Sequence, residues 1–132
     1  MARPKAKELT TRELEIMHVF WDQQSAESPV ELTVTQVRDA LEAAGRDLAY
    51  TTVATLIRIL VDKDFLEQTN EVRPYFYRSV RSFDDVSGSM LGDMIQKVFG
   101  GSREKLLLRL LDERQLSPRE LKAIQEILKE KS

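Results

Sequence analysis

Apolar positions recur at helical spacing along most of the chain, and three helix starts are marked by a polar cap set between apolar flanks. Leu9-Thr10-Thr11-Arg12-Glu13-Leu14 places Thr10 at an N-cap, Glu13 reaching back to its amide, and Leu9 against Leu14. This predicts a first helix ending near Trp21. Leu32-Thr33-Val34-Thr35-Gln36-Val37 repeats the arrangement with Gln36 as the reciprocal partner, and Gly45 suits the left-handed residue that closes a helix over about 34–44. Leu116-Ser117-Pro118-Arg119-Glu120-Leu121 is the third such start. Its proline takes the first helical position, where a missing N–H costs nothing, and the helix should reach about Lys129.

The pattern is most informative over Tyr50 to Lys63. At roughly 100° per residue, Val53, Leu56, Ile57, Leu60 and Val61 fall on one face and Thr51, Thr52, Thr55, Arg58, Ile59 and Asp62 on the other. The first face is core. The second carries short hydroxyls and an arginine, with no acid before Asp62, which suits close approach to phosphates and base edges in a major groove. A short connection, Gly45 to Ala49, joins this helix to the one before it, the shape of a helix-turn-helix. Two β-rich runs follow, Phe65-Leu66-Glu67-Gln68-Thr69 and Pro74-Tyr75-Phe76-Tyr77-Arg78-Ser79-Val80, separated by Asn70-Glu71-Val72-Arg73. They read as a hairpin with Arg73 near its tip. The expected fold is therefore mainly α, a winged helix-turn-helix of three helices and a two-stranded β-hairpin. The recognition helix spans about 50–63 and the wing 65–80.

Beyond residue 81 the pattern predicts three more helices, about 83–99, 102–112 and 118–129. Their apolar sets are Val86, Met90, Leu91, Met94, Ile95, Val98 and Phe99; Leu106, Leu107, Leu108, Leu110 and Leu111; and Leu121, Ile124, Ile127 and Leu128. Roughly 50 residues cannot close a stable core from these alone. The missing surface comes either from packing back on the chain's own winged helix or, more economically, from a second chain. The expected division is residues 1–81, a winged-helix DNA-binding domain with a short basic arm, and 82–132, a helical dimerisation domain. The expected dimer contacts are Met90, Leu91, Met94, Ile95, Val98, Leu107, Leu110, Leu111, Leu121, Ile124 and Leu128. Two-fold symmetry would set two recognition helices about one DNA turn, ~34 Å, or a multiple apart, matching a palindromic site. Gly88 and Gly92 either permit close helix approach across a dimer or mark a frayed helix start.

Composition narrows the chemistry. The 132 residues include no cysteine, which removes disulfides, thiolate metal sites and cysteine nucleophiles, and no apolar run is long enough to span a membrane. A basic N-terminus without an apolar stretch points to the cytoplasm. Net charge is −2, and neither half of the chain is a basic module. The local excess at Arg3, Lys5 and Lys7 is either an arm for phosphates or a solvated terminus. His18, the lone histidine, has Glu15 and Asp22 near it in sequence, but one imidazole makes a poor metal site and an exposed or partly packed helix residue fits better. No Gly-rich phosphate loop or nucleophile–histidine arrangement is present, so no catalysis, cofactor or metal is expected.

Four runs, Leu14-Glu15-Ile16-Met17-His18-Val19-Phe20-Trp21, Tyr50-Thr51-Thr52-Val53-Ala54-Thr55-Leu56, Tyr75-Phe76-Tyr77 and Val98-Phe99-Gly100-Gly101-Ser102, together resemble the penicillinase-repressor family of the BlaI, MecI and CopY type. The resemblance runs from about Leu9 to Lys129. It implies a homodimeric winged-helix repressor that binds palindromic operator DNA and blocks transcription. It also implies groove or base-edge contacts from Thr51, Thr52, Thr55 and Arg58. Tyr50 either touches phosphate or covers the turn, and Arg46, Arg73 and Tyr75 are phosphate candidates. The chain departs from the family pattern at several positions. Ile59 stands where many relatives have a basic residue, exchanging a phosphate or guanine contact for a thymine methyl. Asp64 replaces a frequent glycine at the helix end, a position aspartate tolerates. The family's partner in its β-lactam-responsive members is a membrane-anchored sensor protease that cuts an Asn-Phe bond. The matching pair here is Arg109-Leu110, which puts that route of release in doubt. Absence of cysteine excludes thiolate copper sensing. The competing reading is a winged helix used to bind a partner protein without sequence-specific DNA recognition.

Overall fold

The structure, a computed structural model, describes residues 8–23, 30–112 and 116–131. The elements are α1 (Thr11–Gln23), α2 (Val34–Ala43), α3 (Tyr50–Asp62), β1 (Leu66–Gln68), β2 (Tyr77–Ser79), α4 (Phe83–Val98), α5 (Arg103–Asp112) and α6 (Pro118–Lys131). The basic arm at Arg3, Lys5 and Lys7 lies outside the described residues.

Local chemistry sets the helix ends. Thr10 and Glu13 exchange backbone–side-chain hydrogen bonds, the Glu13 N–H donating to Thr10 Oγ1 (3.1 Å) and the Thr10 N–H to Glu13 Oε1 (2.9 Å). Thr33 with Gln36 and Ser117 with Glu120 do the same. Gly45 sits at φ 88° after α2, and Asp64 at φ 68° after α3, the left-handed turn made without glycine. Strands β1 and β2 are only three residues each, shorter than the β-rich runs, and pair antiparallel with Leu66 opposite Ser79. Their connection is held by one side chain instead. Asn70 Nδ2 donates to the carbonyls of Val72 (2.8 Å) and Pro74 (3.1 Å), and Asn70 Oδ1 accepts from the Phe76 N–H (2.8 Å). Leu32, between α1 and α2, adds a further bridge to Tyr77, with both backbone bonds at 2.9 Å. Three helices with a hairpin against them make a winged helix.

The chain forms two compact units, one up to Val86 and one from Ser87. In the first, Ile16, Met17, Phe20, Val37, Val53, Ile57 and Leu60 are fully buried, with Phe65, Leu66 and Val86 completing the core. The first turn of α4 is thus packed into the winged helix. Trp21 ties the same junction: its Nε1–H donates to the Arg81 carbonyl (2.9 Å) and its ring meets Phe83 edge-on at 5.4 Å. In the second unit Ile95 is buried within its own chain, so this expected dimer contact is not presented outward. Met90, Leu91, Met94, Val98, Leu107, Leu111, Leu121 and Leu128 are exposed, and Leu110 and Ile124 are half-buried. A Cβ added at Gly88 or Gly92 would meet open space.

Candidate nucleic-acid interface

The wheel of α3 is realised residue by residue. Val53, Ile57 and Leu60 are buried, and Leu56 and Val61 pack on the core. Thr51, Thr52, Thr55, Arg58 and Asp62 are exposed. Ala49, in the cap position before α3, offers no side-chain cap, so the first amides of α3 are left without the partner that Thr10, Thr33 and Ser117 supply elsewhere.

Beside this face, α3, the start of α2 and the wing enclose a cleft of about 580 Å³. It brings together Tyr50 and Arg58 from α3, Arg73, Pro74, Tyr75 and Tyr77 from the wing, Gln68 from β1, Thr33 at the cap of α2 and Thr35 within it. The Arg73 guanidinium lies over the Tyr75 ring, 5.4 Å from its centroid, and Tyr75 raises the Arg73 pKa above its ordinary value. Burial pushes the Tyr77 phenol up, reinforced by Tyr50 and Tyr75 and opposed by Arg58 and Arg73, so Tyr77 is a neutral hydrogen-bonding group at neutral pH. Arg58 forms no ion pair among the described residues, and neither does Arg73.

Of the candidates from sequence, Tyr50, Arg58, Arg73 and Tyr75 therefore meet in one place, flanked by Thr51, Thr52 and Thr55. Arg46 is placed elsewhere. Its Nε is 3.0 Å from Oε2 of Glu15 on α1, a carboxylate whose other oxygen holds Arg12. Thr35, Gln68 and Tyr77 were not picked out as cleft residues by sequence reasoning. Their only signal is position: Thr35 in the first turn of a capped helix, the other two in alternating strand register. His18 stacks edge-on with Trp21 at 5.3 Å, and among the described residues no group of three His, Cys, Asp or Glu side chains is placed to hold a metal. No described helix is long and apolar enough to cross a membrane.

Comparison with known proteins finds relatives along nearly the whole chain. A family model described as Penicillinase repressor matches residues 9–130. The transcriptional regulator BlaI of Mycobacterium tuberculosis (strain CDC 1551 / Oshkosh) is 38% identical over 81 residues, 61% of this chain and 58% of that protein, so the match spans less than two thirds of the relative. The penicillinase repressor of Staphylococcus aureus is 25% identical over 124 residues, covering 94% and 93% of the two chains. The methicillin resistance regulatory protein MecI of Mammaliicoccus sciuri is 25% identical over 127 residues, covering 96% and 98%. Among solved structures, the reduced form of MarR from E. coli superposes with a TM-score of 0.46 at 11% identity, over 92% of this chain and 76% of that one. Matched along nearly its whole length, and folded as three helices with a wing, the chain belongs to the penicillinase repressor family.

Proposed function

We propose that this protein is a transcriptional repressor that binds a palindromic DNA operator as a homodimer, with α3 in the major groove and the wing along the adjacent backbone. The observation that carries the reading is the pairing of two features on one side of the winged helix. An acid-free strip of α3, Thr51 to Arg58, lies beside a cleft holding Tyr50, Arg73 and Tyr75. Uncapped amides at the start of α3 suit a phosphate oxygen, which reduces the need for net positive charge. The exposed apolar side chains of α4 to α6 support a second copy of the chain as the source of two-fold symmetry. The named repressors among the relatives point the same way.

The test is selection from a random duplex pool by the full-length protein, with the Thr52→Ala/Arg58→Ala double variant in parallel. A two-fold symmetric motif recovered by wild type and lost by the variant is expected. Its binding should weaken with salt at a log–log slope near −0.9 per neutralised phosphate. Failure of wild type to enrich any motif at low salt would move the winged helix to the class that binds partner proteins.

A further inference from the structure

We infer that this chain reads its half-site chiefly through thymine methyl groups, with Ile59 as the specificity-determining contact and Arg58 held to the phosphate backbone. The inference rests on the DNA-binding reading above. Each base presents a different demand in the major groove: guanine is met by arginine or lysine, adenine by asparagine or glutamine, cytosine by a carboxylate, and the thymine methyl by an apolar group. Between Thr51 and Ile59 the outward strip of α3 has no amide, carboxylate or ammonium side chain. Its one guanidinium, Arg58, lines the wing-side cleft with Arg73, Tyr50 and Tyr75. That flank faces a strand backbone when α3 lies in a groove, so Arg58 is spent on phosphate. What remains over the base edges is Thr51, Thr52, Thr55 and Ile59, which offer methyl groups and hydroxyls.

Ile59 differs from the other aliphatic residues of α3 in where it packs. Val53, Ile57 and Leu60 are buried, and Ala54, Leu56 and Val61 pack against the core. Among the aliphatic residues of α3, Ile59 alone does neither and stays partly exposed, one turn beyond Thr55. One turn further, Asp62 ends the strip with a charge that repels phosphate. A branched apolar side chain in that position meets one apolar feature on the groove floor, the thymine C5 methyl.

The experiment takes the duplex recovered by selection and replaces thymidine by deoxyuridine one position at a time, with affinity measured by fluorescence anisotropy at fixed ionic strength. At one or two positions per half-site, uracil should weaken wild-type binding about fourfold, the worth of one buried methyl. Ile59→Ala should bring the thymine-to-uracil ratio to about one at those positions, and Ile59→Val should fall between. Arg58→Ala should weaken every duplex alike and lower the salt slope by about one. A wild-type protein indifferent to uracil at every position overturns the inference without any variant. So does a ratio that survives in a folded Ile59→Ala, and relaxed selection at a single guanine in Arg58→Ala overturns the backbone role of Arg58. No enriched duplex at all overturns the DNA-binding reading and this inference with it, whereas an enriched duplex indifferent to the methyls overturns this inference alone.

Discussion

The two units of this chain are built from the same kind of amphipathic helix, yet one closes its core and the other does not. In the winged helix, Ile16, Phe20, Val37, Val53 and Ile57 are fully buried and Phe65 and Leu66 nearly so. In the unit from Ser87 onward, Ile95 is the large aliphatic taken below a tenth of its exposure, while Leu107, Leu108 and Leu111 stand at 50%, 51% and 49% and Leu128 at 63%. A leucine left half in water forgoes about half of the roughly 1.5–3 kcal/mol that full burial contributes. The difference teaches where each unit finds its stability. The winged helix closes a core of its own, and the helical unit leaves large leucines half exposed.

Two variants should break that contrast in opposite ways. The largest effect is expected from Phe20→Ala, which removes a fully buried ring between α1 and the rest of the core. A loss of about 3–5 kcal/mol, read from urea unfolding of the full chain, would unfold the winged helix and abolish operator binding with it. A cost under about 1 kcal/mol would mean that the core is not the source of its order. Leu107→Lys/Leu111→Lys acts on exposed side chains instead. It should leave the unfolding midpoint of the winged helix in place, shift the sedimentation of the protein from dimer to monomer, and reduce affinity for a two-fold operator about 100-fold through lost effective concentration. An unchanged dimer would assign these leucines to a different partner surface.

What the sequence reveals follows the same line between local and distant causes. Thr10 with Glu13, Thr33 with Gln36 and Ser117 with Glu120 are all legible because a cap is decided within one turn of chain, and Asp64 at φ 68° follows from what aspartate tolerates. The two faces of α3 are legible because a fixed rotation per residue sorts them. The wing was only half legible. Alternating β-formers mark the hairpin, but its short strands and its tip depend on the hydrogen bonds of Asn70, a single residue with no periodicity to reveal it. Arg46 was legible only as a cation. Its pairing with Glu15 joins positions on separate elements, as does the Trp21 bond to Arg81. Nor could a pattern say that Ile95, alone in its apolar set on α4 after Val86, is covered within its own chain.

A smaller effect sharpens the comparison through charge. Glu13 is the buried ionisable side chain among the described residues, at 3% exposure, whereas every described charged side chain beyond Ser87 is exposed. Burial raises the Glu13 pKa, but the Thr10 N–H and the Lys63 ammonium, 2.9 Å from Oε1, outweigh it and hold the carboxyl below its ordinary value. A carboxyl with a folded pKa below its unfolded one contributes stability that is complete above the unfolded value. That contribution is lost as pH falls through the folded one. Acid should therefore weaken the winged helix through this site. Glu13→Gln keeps the shape and an acceptor for Thr10 but loses the ion pair with Lys63, so it should cost about 1–2 kcal/mol at neutral pH. Urea unfolding of the two proteins at neutral pH and through increasingly acid solution separates the causes: the gap between them should narrow as pH falls through the lowered pKa of wild-type Glu13 and its carboxyl takes up a proton. A gap that stays constant with pH would make Glu13 a packing residue whose charge is incidental.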